Sequence, residues 1–79
     1  MELALFGLVL SERFGPDSDV DILVTFAPHA RWNLFDLVEM TDELENMVGR
    51  HVDLVEATAI RNPFRRRSIL SSKRVIHAA

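Results

Sequence analysis

The sequence predicts an α/β (α+β) fold, a small mixed sheet with helices packed on it. Short apolar segments with strand-like alternation recur along the chain, segments of helical period separate them, and turn-forming residues mark their ends. The length of 79 residues suits one domain, so we expect a single domain over residues 1–79. A domain of this size buries only about 60% of the surface exposed by its unfolded chain, so we expect modest stability.

The first predicted strand is the apolar segment 2–6, which ends at Gly7. One or two helical turns can follow over residues 8–13. The FGPDSD segment then predicts a turn, because Gly, Pro, Asp and Ser each favour turn conformations. Residues 19–26 are rich in β-branched side chains and give the clearest strand of the sequence.

The longest helix is predicted to begin after Asn33, whose side chain can cap free backbone N–H groups, and to stop at Gly49. Asp36 suits the positive end of the helix dipole. One helical stripe is apolar or weakly polar, and its members are Leu34, Leu37, Val38, Thr41, Leu44 and Val48. This stripe predicts the side of the helix that packs on the sheet.

The C-terminal third of the chain predicts a strand, a helix and a short last strand. Residues 51–56 alternate as a strand does, and Asn62 with Pro63 predicts the start of a helix that runs to about residue 73. A final strand can follow at residues 75–77. Three consecutive arginines, residues 65–67, fan across roughly 200° of a helix, which predicts a solvated helix face rather than a single basic patch. Contact with RNA, with a phosphate or with an acidic partner is the alternative.

The composition excludes several classes of protein. The chain has no cysteine, so neither a disulfide framework nor a thiolate metal site is available, and a cytoplasmic setting is expected. No stretch approaches the roughly 18 apolar residues of a membrane span, so no membrane partner is expected. The net charge of −3 argues against direct nucleic-acid binding, which usually needs a basic surface.

Three aspartates form the candidate site. Asp19 and Asp21 are two residues apart at the start of a strand, so their side chains lie on the same face. Asp53 lies among apolar residues of another predicted strand, and three carboxylates converge if the two strands are neighbours. Oxygen donors of this kind suit Mg²⁺ or Mn²⁺, and two such ions about 4 Å apart support phosphoryl or nucleotidyl transfer.

Two interpretations of the aspartates stay open at this point. An Asp-x-Asp after a Gly-Pro turn is also ordinary turn and capping chemistry. Gly7 favours the site, because it ends the first strand ahead of a short helical segment, where backbone N–H groups can approach a phosphate closely.

The stretch LFGLVLSERFGPDSDVDILVTF resembles the signature of the minimal nucleotidyltransferases of the DNA polymerase β-like superfamily, in which Gly-Ser is followed after ten residues by Asp-x-Asp. Gly7, Asp19 and Asp21 stand at the matching spacing, and Asp53 takes the position of a third carboxylate. The resemblance covers nearly the whole chain. It implies the polymerase β palm-like nucleotidyltransferase fold, with Asp19, Asp21 and Asp53 as catalytic ligands of two Mg²⁺ ions.

The same resemblance implies an activity and a partner. Small members of this family transfer a nucleoside monophosphate, here AMP from ATP, to an acceptor hydroxyl. They are often the antitoxin halves of toxin–antitoxin pairs whose other half carries a HEPN-type ribonuclease domain. The resemblance therefore favours an enzyme that binds a nucleoside triphosphate and pairs with a HEPN-domain protein.

The sequence departs from the family pattern at the phosphate loop. Leu8 stands where the family has a serine that donates its hydroxyl to the terminal phosphates, so only the backbone of Leu8 can contribute. Ser11, Glu12 and Arg13 replace an Arg-Gly-Glu-like segment, and Arg13 could compensate only in part. A catalytically inactive module that binds a partner is therefore the alternative function.

The family's usual helix before the first strand is also missing, so we expect one sheet face to lie bare. A partner, a second copy of the chain or a truncated start would each account for such a face.

Overall fold

The chain folds around a mixed four-stranded sheet, and the computed structural model describes residues 1–78. The strands are β1 (Glu2–Phe6), β2 (Val20–Thr25), β3 (Val52–Glu56) and β4 (Arg74–Ala78). The α-helices are α1 (Leu34–Val48) and α2 (Pro63–Ser72), and short 3₁₀ helices span Gly7–Leu10 and Ala57–Ala59. The strand order is β3-β2-β1-β4, with β2 and β3 parallel and the other neighbours antiparallel. The predicted small mixed sheet with packed helices is confirmed.

The alternation of β2 gives the sheet two packed faces. The back face carries Val20, Ile22 and Val24, which are buried together with Leu3 and Val52 and contact α1. The front face carries Asp21 and, two residues further on, the fully buried Leu23, which packs in a second cluster. The other members of that cluster are Ala4, Phe6, Ala57, Ile60 and Ile69 of α2. α1 therefore packs on the back face and α2 contacts the front face through Ile69, so the aspartates share the front face with α2.

The limits of α1 follow the capping pattern predicted from the sequence. The Asn33 side chain accepts a hydrogen bond from the Asp36 N–H at 3.0 Å, and the Asp36 carboxylate accepts one from the Asn33 N–H at 2.8 Å. Gly49 ends the helix in the left-handed conformation, with φ of 70°. The predicted helix and both of its ends are confirmed.

The predicted packing stripe of α1 is wrong in part. Leu37, Met40 and Leu44 pack against the back face, at the 3, 4 spacing of neighbouring turns. The other apolar members of the predicted stripe are exposed, namely Leu34, Val38 and Val48. The stripe that packs on the sheet is rotated by part of a turn from the predicted one, because it contains Met40 in place of Thr41. The Thr41 hydroxyl donates a hydrogen bond to the Leu37 carbonyl at 2.8 Å.

The C-terminal elements also match the prediction. The Asn62 side chain caps α2 by accepting hydrogen bonds from the N–H groups of Phe64 and Arg65, and Pro63 occupies the first turn. The last strand is longer than predicted, and it pairs with β1 along the edge of the sheet. An ion pair between Lys73 and Glu2 joins the end of α2 to the start of β1.

The bare sheet face expected from the sequence is only partly found. Over β1 and β4 the back face is open to a groove of about 380 Å³. Apolar side chains of α1 and of the two strands line it, among them Met1, Leu3, Met40, Leu44, Met47 and Ile76. Over β2 and β3 the back face is covered by α1, so the groove lies on the β1–β4 side of that face.

The first element of the described residues is β1. Neither α1 nor α2, the two α-helices within residues 1–78, has the length and hydrophobicity that crossing a membrane demands.

Candidate active site

The sheet brings two of the predicted aspartates side by side. Asp21 of β2 and Asp53 of β3 are direct partners in the parallel register, near the N-terminal ends of both strands. Asp19 lies just before β2 and is exposed. The two strands are therefore neighbours, as the prediction required. Asp21 and Asp53 lie side by side on the front face, and the charge of Asp19 acts on Asp21 from the residue before β2.

The start of β3 is fixed by hydrogen bonds to its neighbours. The Glu45 carboxylate at the end of α1 accepts a hydrogen bond from the Val52 N–H at 2.8 Å. The same carboxylate lies 2.8 Å from Nδ1 of His51, and the His51 carbonyl accepts from the Val20 N–H at 3.0 Å. These bonds fix the register of β2 against β3 at their first residues. In that register Asp21 is the direct partner of Asp53.

Gly7 lies against the carboxylate of Asp21. It follows β1 directly, at the strand end where Phe6 is the register partner of Asp21. Its φ is 72°, and a Cβ atom built there would stand 2.7 Å from Oδ2 of Asp21. Only glycine therefore combines this backbone conformation with the close approach to the carboxylate.

The three carboxylates are electrostatically coupled. Partial burial raises the pKa of Asp21 above its ordinary value, and the negative charges of Asp53 and then Asp19 raise it further. The positive charge of Arg65 on α2 acts in the opposite direction and lowers the pKa of Asp21. Asp21 is thus the group on which the charges of the site converge.

The donor set fits a hard divalent cation of the Mg²⁺ type. As they are placed, no three His, Asp or Glu side chains of the described residues enclose a metal ion by themselves. Mg²⁺ is usually held by one or two carboxylates and takes its other ligands from water and substrate phosphates. Such a cation would relieve the repulsion that the charges of Asp53 and Asp19 exert on Asp21. The three aspartates therefore suit Mg²⁺ bound together with a phosphate ligand.

The residues that the resemblance assigns to a phosphate loop bring few polar groups to this cluster. Leu8 follows Gly7 in the first 3₁₀ helix, and its apolar side chain is 39% exposed. Arg13 lies exposed in the following turn, where its N–H donates to the Ser11 hydroxyl at 3.0 Å. The charges that act on Asp21 come from Asp53, Asp19 and Arg65, and Arg13 is not among them.

Arg50 is a structural residue of the site that the sequence analysis missed. Its guanidinium Nη1 donates to the Gly15 carbonyl at 2.7 Å and lies 3.4 Å from the Ser18 carbonyl. The guanidinium also lies 4.4 Å from the centre of the Phe14 ring. Arg50 therefore binds the turn that leads into Asp19 to the start of β3, and no local pattern around Gly49 predicts this long-range contact.

We expect Arg50→Met to destabilise the fold by about 1–3 kcal/mol, because it leaves part-buried carbonyls without a charged donor. Hydrogen exchange should also lose protection at the Ser18 amide, which donates to the Gly15 carbonyl within the same turn. Arg31→Met, at an exposed loop position, is the matched control and should change neither quantity. Equal protection of the Ser18 amide in both variants would contradict the role of Arg50.

The fold and the site together define a class of protein. A mixed sheet with carboxylates on adjacent parallel strands, and a glycine packed against one of them, is suited to hold phosphate groups and the cations that accompany them. A family model described as a nucleotidyltransferase domain matches residues 1–76. The chain belongs to this nucleotidyltransferase family, as its resemblance to the minimal nucleotidyltransferases predicted.

Similar proteins occur in Methanocaldococcus jannaschii. MJ1379 and MJ1217, both described as candidate protein adenylyltransferases, are each 33% identical to this chain over 67 residues. The match covers 85% of this chain, and 67% and 66% of the two relatives respectively. MJ0128, with the same description, is 37% identical over 67 residues, covering 85% of this chain and 66% of the relative. The chain therefore spans about two thirds of the length of these relatives.

Proposed function

We propose that this chain is an Mg²⁺-dependent nucleotidyltransferase that transfers AMP from ATP to an acceptor hydroxyl. The observation that carries the proposal is the direct pairing of Asp21 with Asp53 across β2 and β3, with Gly7 against the Asp21 carboxylate. Membership of the nucleotidyltransferase family supports it. The description of the archaeal relatives as candidate protein adenylyltransferases supports AMP as the group and a protein as the acceptor.

The proposed reaction is an in-line displacement at the α-phosphorus of ATP. The acceptor oxygen forms a bond to the α-phosphorus, the bond from that phosphorus to the bridging oxygen breaks, and pyrophosphate leaves with the electron pair. Bound Mg²⁺ would neutralise phosphate charge and lower the pKa of the acceptor hydroxyl. Asp19 and Asp21 would hold both cations, and Asp53 would hold the cation on the acceptor side and accept the proton of the acceptor hydroxyl. Gly7 lets the backbone close on the phosphates.

The proposed partner is a HEPN-domain ribonuclease, with this chain as the antitoxin that modifies or binds it in the cytoplasm. A protein acceptor agrees with the description of the relatives. The apolar groove between α1 and the β1–β4 half of the sheet supplies a surface for such a partner or for a second copy of the chain.

A second candidate function is a pseudo-enzyme that keeps the fold and binds a partner without catalysis. The observation that favours it is Leu8, whose exposed side chain stands in the phosphate loop and can neither donate nor accept a hydrogen bond. Under this function the partner would bind equally well whether or not the carboxylates are intact.

Isothermal titration with α,β-methylene-ATP, in which the bond to be cleaved is blocked, tests the proposal. We expect binding that requires Mg²⁺, and we expect Leu8→Ser to tighten it by about 10-fold, since a hydrogen bond to a charged phosphate is worth about 1.5–3 kcal/mol. Leu10→Ser, two residues further along the same 3₁₀ helix, is the control and should leave affinity unchanged. Binding seen only in Leu8→Ser would instead establish a decayed site and favour the pseudo-enzyme.

A further inference from the structure

The three consecutive arginines of α2 occupy different environments. Arg66 donates from Nη1 to the Ala57 carbonyl at 3.5 Å, and Arg67 lies on the exposed side of the helix, along an open surface with Arg66 and Leu70. Arg65 precedes Ile69 by four residues, and residues four apart share one side of a helix. Since Ile69 is the residue that α2 buries in the front-face core, Arg65 lies on the sheet side of the helix.

The sheet beneath that side of α2 leads directly to the carboxylates. Ile69 packs in the same cluster as Leu23, and Asp21 precedes Leu23 by one step along the same face of β2. Arg65 is the cation whose field acts on Asp21. Within residues 1–78, however, the Arg65 guanidinium forms no ion pair shorter than 4 Å, so its donors are open to a ligand.

The position of Arg65 is unfavourable for the helix itself. It lies in the first turn of α2, which contains no acidic residue, and the helix dipole is positive there. A cation at this end opposes helix stability, where Asp or Glu would support it. A positive charge at this place, which acts on the Asp21 carboxylate, is suited to an anion brought in by a ligand.

We propose that Arg65 binds the β- or γ-phosphate of the nucleoside triphosphate and supplies the phosphate contact that Leu8 cannot make. This inference rests on the proposed nucleotidyltransferase function, because it assigns a residue to the substrate of that same site. A guanidinium is well suited to the role, since it remains charged and donates two parallel hydrogen bonds to phosphate oxygens. Arg65 would then be a phosphate-binding residue contributed by α2 instead of by the loop after β1.

Titration calorimetry in the presence of Mg²⁺ tests this assignment with α,β-methylene-ATP and with AMP as the two ligands. We expect Arg65→Gln to lower the affinity for the triphosphate analogue by about 10- to 100-fold and to change the affinity for AMP less than twofold. Arg65→Lys should restore part of the loss, because it keeps the charge without the paired donors. Arg67→Gln, the matched control two residues along the same helix, should bind both ligands as the unchanged protein does.

The outcomes separate this inference from the proposed function. Equal affinity of Arg65→Gln and Arg67→Gln for the triphosphate analogue would overturn the role of Arg65 and leave the proposed function standing. If Arg65→Gln lost equal affinity for AMP and for the triphosphate analogue, the proposed role of Arg65 would also be wrong, because Arg65 would then not bind the β- or γ-phosphate. If the unchanged protein binds no nucleotide, the proposed function fails and this inference fails with it.

Discussion

Asp21→Asn should abolish Mg²⁺-dependent binding of α,β-methylene-ATP and lower the rate of AMP transfer by at least about 1000-fold. Asp21 is the group on which the charges of Asp53 and Asp19 converge, so its loss removes the central carboxylate of the proposed cation site. Bound metal supplies several kcal/mol of charge stabilisation in such reactions, and each 1.36 kcal/mol is a factor of ten in rate. Transfer can be followed with ATP labelled at the α-phosphate and a purified protein acceptor.

The same substitution should make the metal-free fold slightly more stable at neutral pH. The pKa of Asp21 is raised in the folded state, so its ionised form opposes folding above that pKa. The penalty disappears as the pH falls through the folded pKa, and below the ordinary value Asp21 makes no difference to stability. Since Asp21 is only partly buried, we expect a gain of less than about 1 kcal/mol, measured by urea unfolding at neutral and acidic pH.

Asp17→Asn is the matched control for both effects. Asp17 is an exposed carboxylate of the turn before Asp19 and is not among the charges that act on Asp21. Its substitution should leave nucleotide binding and the pH dependence of stability nearly unchanged. If Asp17→Asn and Asp21→Asn weaken nucleotide binding equally, a general loss of negative charge is the cause, and the metal-binding role of Asp21 is wrong.

Gly7→Ala should reduce nucleotide binding by at least about 10-fold and lower stability by about 1–2 kcal/mol. The stability loss has a backbone cause, because a residue with a Cβ atom is strained at a φ of 72°. The binding loss has a steric cause, because the new Cβ would stand 2.7 Å from Oδ2 of Asp21 and would force that carboxylate to move. A displaced carboxylate would lose its contact with the proposed cation, and one contact of a charged group is worth about 1.5–3 kcal/mol, or about 10-fold or more in affinity.

Gly49→Ala separates the two causes. Gly49 has nearly the same conformation, with φ of 70°, but nothing lies within 4 Å of the position that its Cβ would take. Gly49→Ala should therefore lower the stability in urea unfolding by a similar amount and leave the nucleotide affinity unchanged. Equal effects of the two variants on affinity would mean that backbone strain alone matters and that the contact of Gly7 with Asp21 does not.

Most of the secondary structure could be predicted from local patterns. The caps Asn33, Gly49, Asn62 and Pro63 mark the helix ends, because capping depends on a few neighbouring residues. The alternation in β2 identified the strand and the shared face of its side chains. The stripe of α1 was harder to predict, since Leu34, Leu37 and Val38 are all apolar and only packing against the sheet decides which of them are buried.

The aspartates of the site could be named from the sequence, but their arrangement could not. Asp19 and Asp21 share a strand face by local geometry, whereas Asp53 joins them only because β2 and β3 are parallel neighbours. Arg50 was missed for the same reason, and the sequence left open which of the three consecutive arginines acts on Asp21. The contact of Arg50 with Gly15 spans 35 residues, and the field of Arg65 on Asp21 crosses from α2 to the sheet.

The sequence by itself determined the class of fold, the helix and strand positions and the spacing of Gly7, Asp19 and Asp21, because each depends on short-range periodicity and turn chemistry. Tertiary structure alone decided which strands are neighbours, which of three consecutive arginines faces the carboxylates, and why position 7 must be glycine. Those features arise from contacts between segments that are distant in the chain. Such contacts depend on which side chains are buried on each face of the sheet, and a local sequence pattern does not predict this.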